Sequence, residues 1–320
     1  MKFLKQYGVI VAFFLLFIVS AIMDPGNFLR PENLLLLVRQ NVDIGLIAVG
    51  MTIVIVAGGI DLSVGALMTL AAAVGLTALN QQGPAGGAAA VAIATVVTVG
   101  LGTVLGLING LLVTMGRLAP FVATLCGLVA FRSLALVIGQ AGEIRSMSPD
   151  LFPRIANEGI NLGGNLKLTW GMMIFIGMAV IAHILLERTA LGRGWVAVGS
   201  NEKASHYAAL PVAKLKTLSY VFLGLCSGLA GLIYASRLNS VSTNNMGTLY
   251  ELDAIAAVVI GGASLAGGKG KVINTVFGVL ILALIGNMLV LQNVDSNWKG
   301  FVKGAIILLA VMVQRERKAS

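Results

Sequence analysis

Residues 51–79 read MTIVIVAGGIDLSVGALMTLAAAVGLTAL, a stretch whose only formal charge is Asp61. That residue sits in a polar break, Gly58-Gly59-Ile60-Asp61-Leu62-Ser63-Val64-Gly65, with an apolar run on each side. A helix needs about 20 apolar residues to cross a bilayer, and each run extends far enough to supply one. The whole chain repeats this arrangement. Of its 320 residues 58% are hydrophobic and 11% charged, with a mean hydropathy of +0.94, far more apolar than a soluble domain. Backbone polar groups in lipid must be satisfied internally, and runs of this length satisfy them as helices. The expected class is therefore an all-α polytopic membrane protein, one transmembrane domain over 1–320 with no folded soluble domain.

The candidate spans are 7–23, 33–59, 62–79, 86–115, 119–139, 168–187, 217–236, 253–267, 272–291 and 298–313, about ten helices. The span 253–267 is short, 33–59 and 86–115 are long, and glycine-rich segments blur helix ends. Lys2 and Lys5 precede an apolar run from Val9 to Val19, but no small-x-small cleavage site follows at Ser20-Ala21-Ile22-Met23, so the first helix is expected to be retained. Basic residues set the orientation. With the N-terminus inside, an even helix count places Lys2, Lys5, Arg117, the loop 188–216, Lys269, Lys271, Arg315, Arg317 and Lys318 on the cytoplasmic side, both termini included. The opposite side keeps Arg145, Arg154, Lys167 and Arg237. The net charge of +9 is accounted for by topology and anionic lipid, without nucleic acid.

Glycines mark helix contacts and breaks. Gly102, Gly106 and Gly110 recur every four residues, as do Gly224 and Gly228, a spacing that lets two helix backbones approach closely in lipid. Asn109 stands beside the first stripe, placed for an interhelical hydrogen bond or for lining a hydrated path. The segment Gly261-Gly262-Ala263-Ser264-Leu265-Ala266-Gly267-Gly268 repeats the pattern of the first break: two Gly, two variable, Leu, two variable, Gly. Two copies suggest an internal repeat with broken helices, as in many transporter folds.

Several chemistries find no support. Ala263 to Gly270 resembles a phosphate-binding loop only loosely, because its first position is Ala and Gly270 replaces the hydroxyl residue that would hold magnesium. No Ser/His pair, paired Asp or H-E-x-x-H helix is present, so an enzyme is not expected. Cys126 and Cys226 fall in different spans, and with His183 and His206 isolated there is no metal-ligand spacing. A proton- or sodium-coupled carrier would keep a carboxylate deep in a span. Here Asp61, Glu251 and Asp253 lie at breaks or span ends, and Asp43 lies early in the second span. Arg132 is the clear intramembrane charge, expected to pair with a carboxylate or carbonyls, or to reach a cavity.

Gly50-Met51-Thr52 with the first break, Leu191-Gly192-Arg193 with Gly199-Ser200-Asn201-Glu202, and Tyr250-Glu251-Leu252-Asp253-Ala254-Ile255-Ala256-Ala257 with Gly261-Gly262 and Gly267-Gly268-Lys269-Gly270 occur in that order. Together they resemble the permease subunit of ribose-type sugar ABC importers, in the branched binding-protein-dependent permease family. The resemblance runs from about Asn33 to Val313. It implies a homodimeric pore in a bacterial inner membrane, a periplasmic or lipid-anchored sugar-binding protein, and an ATPase chain with two fused nucleotide-binding halves that carries the ATP and Mg. No cofactor is expected on this chain. By the same resemblance, Asn201-Glu202-Lys203-Ala204-Ser205 with Leu210-Pro211 matches the coupling loop, a short amphipathic helix seated in a groove of the ATPase. Permeases of this group usually carry Gly in the stretch where this chain reads Tyr207-Ala208-Ala209-Leu210-Pro211, and alanine there should lengthen the helix or stiffen its exit.

For the solute path the candidates are Asp61 and Ser63 at the first break, Asn109, Thr124, and Ser264 at the second break. Gly58, Gly59, Gly65, Arg132, Glu251, Asp253, Gly261 and Gly262 are expected to shape or gate it. A secondary carrier for a small polar solute, or an importer for a nucleoside or furanosyl signal, are the alternative readings.

Overall fold

The computed structural model describes residues 2–164 and 166–295, together with 298, 300–302, 304, 305 and 308. The first part comprises α1 (Lys2–Met23), α2 (Pro25–Phe28), α3 (Pro31–Gln40), α4 (Val42–Val56), α5 (Val64–Gln81), α6 (Gly87–Thr114) and α7 (Pro120–Ile138). A loop region follows with strand β1 (Glu143–Arg145), α8 (Arg154–Asn157), β2 (Gly159–Gly163) and β3 (Leu166–Thr169). Beyond it run α9 (Trp170–Arg188), α10 (Ala190–Ser200), α11 (Glu202–Tyr207), α12 (Val212–Leu238), β4 (Ser240–Ser242), α13 (Tyr250–Ile260) and α14 (Val272–Leu291). The strands form two small antiparallel pairs, β1 with β4 and β2 with β3.

Among the described residues six helices, α5, α6, α7, α9, α12 and α14, are long and apolar enough to cross a membrane. The pair α3 and α4 makes a seventh if it counts as one span, bent by 50°. The expected run 33–59 is thus broken at Asn41, where Pro31 starts one helix and Asp43 stands in the first turn of the next. The expected span 253–267 is corrected more strongly: α13 is 11 residues long and covers about 16 Å, half a bilayer core. Its apolar composition resembled a span, but Gly261 and Gly262 stop the helix. The expected span 298–313 lies mostly outside the described residues, as do Arg315, Arg317 and Lys318.

Both glycine breaks use one device. Gly58 has φ +82°, and Gly59 N donates to Val54 O while Gly58 N donates to Ile55 O, both at 2.9 Å. Gly262 has φ +85°, with Ala263 N on Val258 O at 3.2 Å and Gly262 N on Val259 O at 2.8 Å. Each is a left-handed glycine closing a helix and satisfying its last carbonyls. The equivalence is offset from the sequence pattern, since the first glycine of one pair matches the second of the other.

Nearly every residue of α4 is buried, which fits a helix apolar on all sides. Helices α6 and α12 cross in close backbone contact on the glycine stripes. A Cβ at Gly102 would fall 2.7 Å from Gly228 Cα, and one at Gly106 would fall 2.8 Å from Gly224 Cα. Larger side chains would force the backbones apart and lose the dispersion contacts that hold helices together in lipid.

Among the described residues, Arg117 and Lys269 lie at one end of the bundle and Arg145, Arg154 and Arg237 at the other. One end gathers α10, α11, the α6–α7 turn with Arg117, and the loop with Lys269. The other gathers both strand pairs, α8 and Arg237.

Candidate functional site

At the first of these ends, Thr189 caps α10 by accepting from Gly192 N at 3.3 Å. Trp195 is buried and donates Nε1–H to Leu215 O at 2.7 Å, fixing α10 against α12. Asn201 breaks the helix and caps α11, its Oδ1 accepting from Ala204 N at 2.9 Å. Ser205 is buried, while Asn201, Glu202, Lys203, Ala204, His206 and Tyr207 are exposed, Tyr207 to 92%. Glu202 Oε2 accepts from Lys216 Nζ at 2.6 Å, which ties α11 to the start of α12. The segment thus presents a short exposed helix with its back anchored.

Alanine at 208 and 209 does not lengthen α11. The helix ends at Tyr207, and Ala209 takes φ +56°, with Leu210 N donating to Ser205 O at 3.1 Å and Ala209 N to His206 O at 3.0 Å. This is the glycine-type helix exit made by an alanine, and the Leu210-Pro211 turn then leads into α12. The left-handed region costs a Cβ-bearing residue ~1 kcal/mol or more. Ala209→Gly is expected to stabilise the folded chain by ~1 kcal/mol without altering α11. Thermal unfolding in detergent measures it, and an unchanged midpoint would show that the cap bears no strain.

The root of this segment meets both helix breaks. Gly268 N donates to Val56 O at 2.9 Å, satisfying a carbonyl in the last turn of α4. A Cβ at Gly199 would lie 1.9 Å from that same Val56 O and 2.7 Å from Gly268 N. Gly58 and Gly267 close the group, their Cβ positions 3.4 Å from Gly199 Cα and 2.5 Å from Gly199 O. The end of α10 is therefore seated directly on the exit of α4 and on the loop that follows α13.

Deeper in the bundle lies a buried polar cluster. Asp61 Oδ1 accepts from Ser63 N and Ser63 Oγ, both at 2.7 Å. Asn109 Nδ2 donates to Ser63 Oγ at 2.7 Å and Asp61 Oδ2 at 3.1 Å. Thr124 Oγ1 donates to Pro120 O at 2.9 Å and lies 3.4 Å from Ile60 O. The structure brings these four candidates together, all fully buried, and Asn109 Oδ1 has no hydrogen-bond partner among the described residues. Ser264 stands apart at the second break, where its Oγ accepts from Ala266 N at 3.3 Å. Gly59 lets the Tyr220 hydroxyl approach, and Gly65 lies against Gly247. Gly261 packs against the backbone of Asn274 at the start of α14.

Arg132 resolves toward carbonyls: Nη1 donates to Met246 O at 2.9 Å and Thr243 O at 3.1 Å. Glu251 and Asp253 occupy the first turn of α13, and Asp253 faces a cleft of about 480 Å³ with Asn33 and Asn287. One constellation lies beyond the sequence reading. Asp43 is fully buried, and its Oδ2 accepts from Arg237 Nη2 at 3.2 Å and from the Tyr250 hydroxyl at 3.0 Å. A carboxylate at the head of a helix and an arginine at the tail of another were the available signals, but nothing in their spacing joins positions so far apart. Burial adds to the carboxylate picture: Asp61 at the first break and Asp43 in the first turn of α4 are both shut away from solvent.

Residues 33–311 match a family described as the branched-chain amino acid transport system, permease component. The chain is 40% identical to the ribose import permease protein RbsC of Bacillus subtilis (strain 168) over 99% of this chain and 94% of the relative. It is 36% identical to the protein of that name in Escherichia coli (strain K12), over 98% of this chain and 95% of the relative. The galactofuranose transporter permease protein YtfT of the same strain is 36% identical over 86% of this chain and 77% of its own length. No solved structure matches.

Proposed function

The chain belongs to the permease-component family of the branched-chain amino acid transport system, and from that membership we propose that it is the membrane subunit of an ATP-binding cassette importer for a monosaccharide or related polyol. The observation that carries this reading is 36–40% identity, over nearly the whole chain, to permeases named for ribose, with further relatives named for galactofuranose and galactose. The proposed assembly is a homodimer in a bacterial inner membrane, with both termini cytoplasmic. A binding protein delivers the solute. A separate ATPase with two fused nucleotide-binding halves holds ATP and Mg.

The exposed α11, held to α12 by the Glu202–Lys216 pair and preceded by α10 that Trp195 fixes against α12, supports a docking role for Asn201 to Pro211. ATPase closure would push this helix and, through Gly199, displace both broken helices. Glu202→Lys is expected to impair ATPase co-purification or coupled uptake while leaving membrane insertion intact. An exposed ion pair contributes at most ~1 kcal/mol, so the folded chain should survive its loss. Unchanged co-purification and uptake would refute the docking role.

A secondary carrier keeps one supporting observation, because buried Asp61 has no cation among its hydrogen-bond partners in the described residues. Uptake of radiolabelled ribose into vesicles separates the two readings. The importer requires the ATPase chain and ATP. Transport that persists without them and collapses with the proton gradient would overturn it.

A further inference from the structure

Between β4 and α13 the chain turns back into the bundle. Asn80, near the end of α5, is tied to the loop region outside the spans, donating to Arg145 O at 2.8 Å and accepting from Met147 N at 2.9 Å. Thr69 lies three turns earlier, about 16 Å deeper by helix rise. Its hydroxyl donates to Met246 O at 2.7 Å. One turn deeper still, Gly65 meets Gly247, a Cβ there falling 1.9 Å from Gly247 O. Loop 243–249 therefore reaches about half way into a hydrocarbon core of ~30 Å. Arg132 holds it there by two carbonyls, and α13 covers the remaining depth.

Along this descent Asn245 and Thr248 are exposed and Glu251 is half-buried. Irregular backbone with amide and hydroxyl side chains cannot face lipid, which offers no hydrogen bonds; it must be covered by protein or wetted. The Glu251 carboxylate lies over Gly65, within electrostatic reach of Arg132 and of Asp61. The polar surface thus continues from the loop toward the Asp61–Ser63–Asn109 cluster, where Asp61 is 1% exposed and the seam is closed.

We propose that loop 243–249 and the first turn of α13 form a water-filled wall of the solute route, with Asn245, Thr248 and Glu251 as contacts for a polyhydroxylated solute. The substrate class rests on the sugar-importer reading; the water access does not. Hydroxyl, amide and carboxylate groups offer a sugar both donors and acceptors, each contact weak enough to release it.

The test uses the complete transporter in membrane vesicles, with Cys126→Ser as background. Asn245→Cys and Thr248→Cys are expected to react with a charged, membrane-impermeant methanethiosulfonate at least about tenfold faster than Val96→Cys, because thiolate forms in water and not in lipid. Val96 is 71% exposed on α6, on a face without polar neighbours in its helix turn. Asn245→Ala combined with Thr248→Val is expected to cut ribose uptake about tenfold, ~1.4 kcal/mol, while ATP hydrolysis persists. Labelling no faster than at Val96→Cys would overturn the proposal, showing the loop covered. Fast labelling with unchanged uptake would overturn the solute contact. A parent transporter that takes up no sugar with ATP would strike the functional reading instead, and the cysteine rates would still decide the water access.

Discussion

Asp43→Ala is expected to destabilise the folded chain by ~3–5 kcal/mol, the cost of leaving a buried cation without its partner. Asp43 Oδ2 holds both the Arg237 guanidinium and the Tyr250 hydroxyl. Arg237 also donates Nη1–H to Arg39 O at 2.9 Å and lies 5.2 Å from the Tyr234 ring centroid. One carboxylate thus joins the end of α3, the head of α4, the tail of α12 and the head of α13. A carbonyl and a ring face cannot replace a full negative charge, and the site has little water to screen what remains. Thermal or denaturant unfolding in detergent measures the loss. Asp43→Ala with Arg237→Met should recover most of it, because a desolvated pair removed together leaves no orphan. If the single variant unfolds as the parent does, or the double variant is no better than the single, the ion pair does not bear this load.

The residues that betrayed the fold act locally. Apolar length, the glycine stripes on α6 and α12 and the glycine breaks are properties of neighbouring positions, and each has its counterpart in the structure. What stayed hidden depends on partners distant in the chain. The α13 segment is apolar enough to resemble a span, yet Gly262 closes it after 11 residues, and the missing depth is filled by loop 243–249. Asn109 could be read either as a helix contact or as a path residue, and it bonds to Asp61 and Ser63 across the first break. Of the two effects expected of the alanines, a longer helix or a stiffer exit, the first is absent: α11 ends at Tyr207 and Ala209 takes a left-handed exit that alanine accepts at a cost. The Asp43–Arg237 pair has no sequence signal at all beyond two charges in apolar surroundings.

Gly199→Ala is expected to separate ATP hydrolysis from transport. The added methyl would stand 1.9 Å from Val56 O and 2.7 Å from Gly268 N, against both the acceptor and the donor of the hydrogen bond that joins the α4 exit to the loop after α13. Both obstacles are backbone, so no side-chain rotation can relieve them. The end of α10 must back away, at ~1–3 kcal/mol if the site relaxes as overpacked interiors do. Asn201 and the exposed face of α11 lie beyond this point and keep their own cap, so ATPase docking should survive. What is lost is the contact through which displacement of α11 reaches the two broken helices. Uptake is then expected to fall about tenfold or more while the ATPase still co-purifies and turns over. Gly177→Ala is the control, since a Cβ at Gly177 meets nothing within 4 Å. Parallel loss of uptake and hydrolysis would mean that docking itself failed, and normal coupled uptake would show that motion reaches the broken helices by another route.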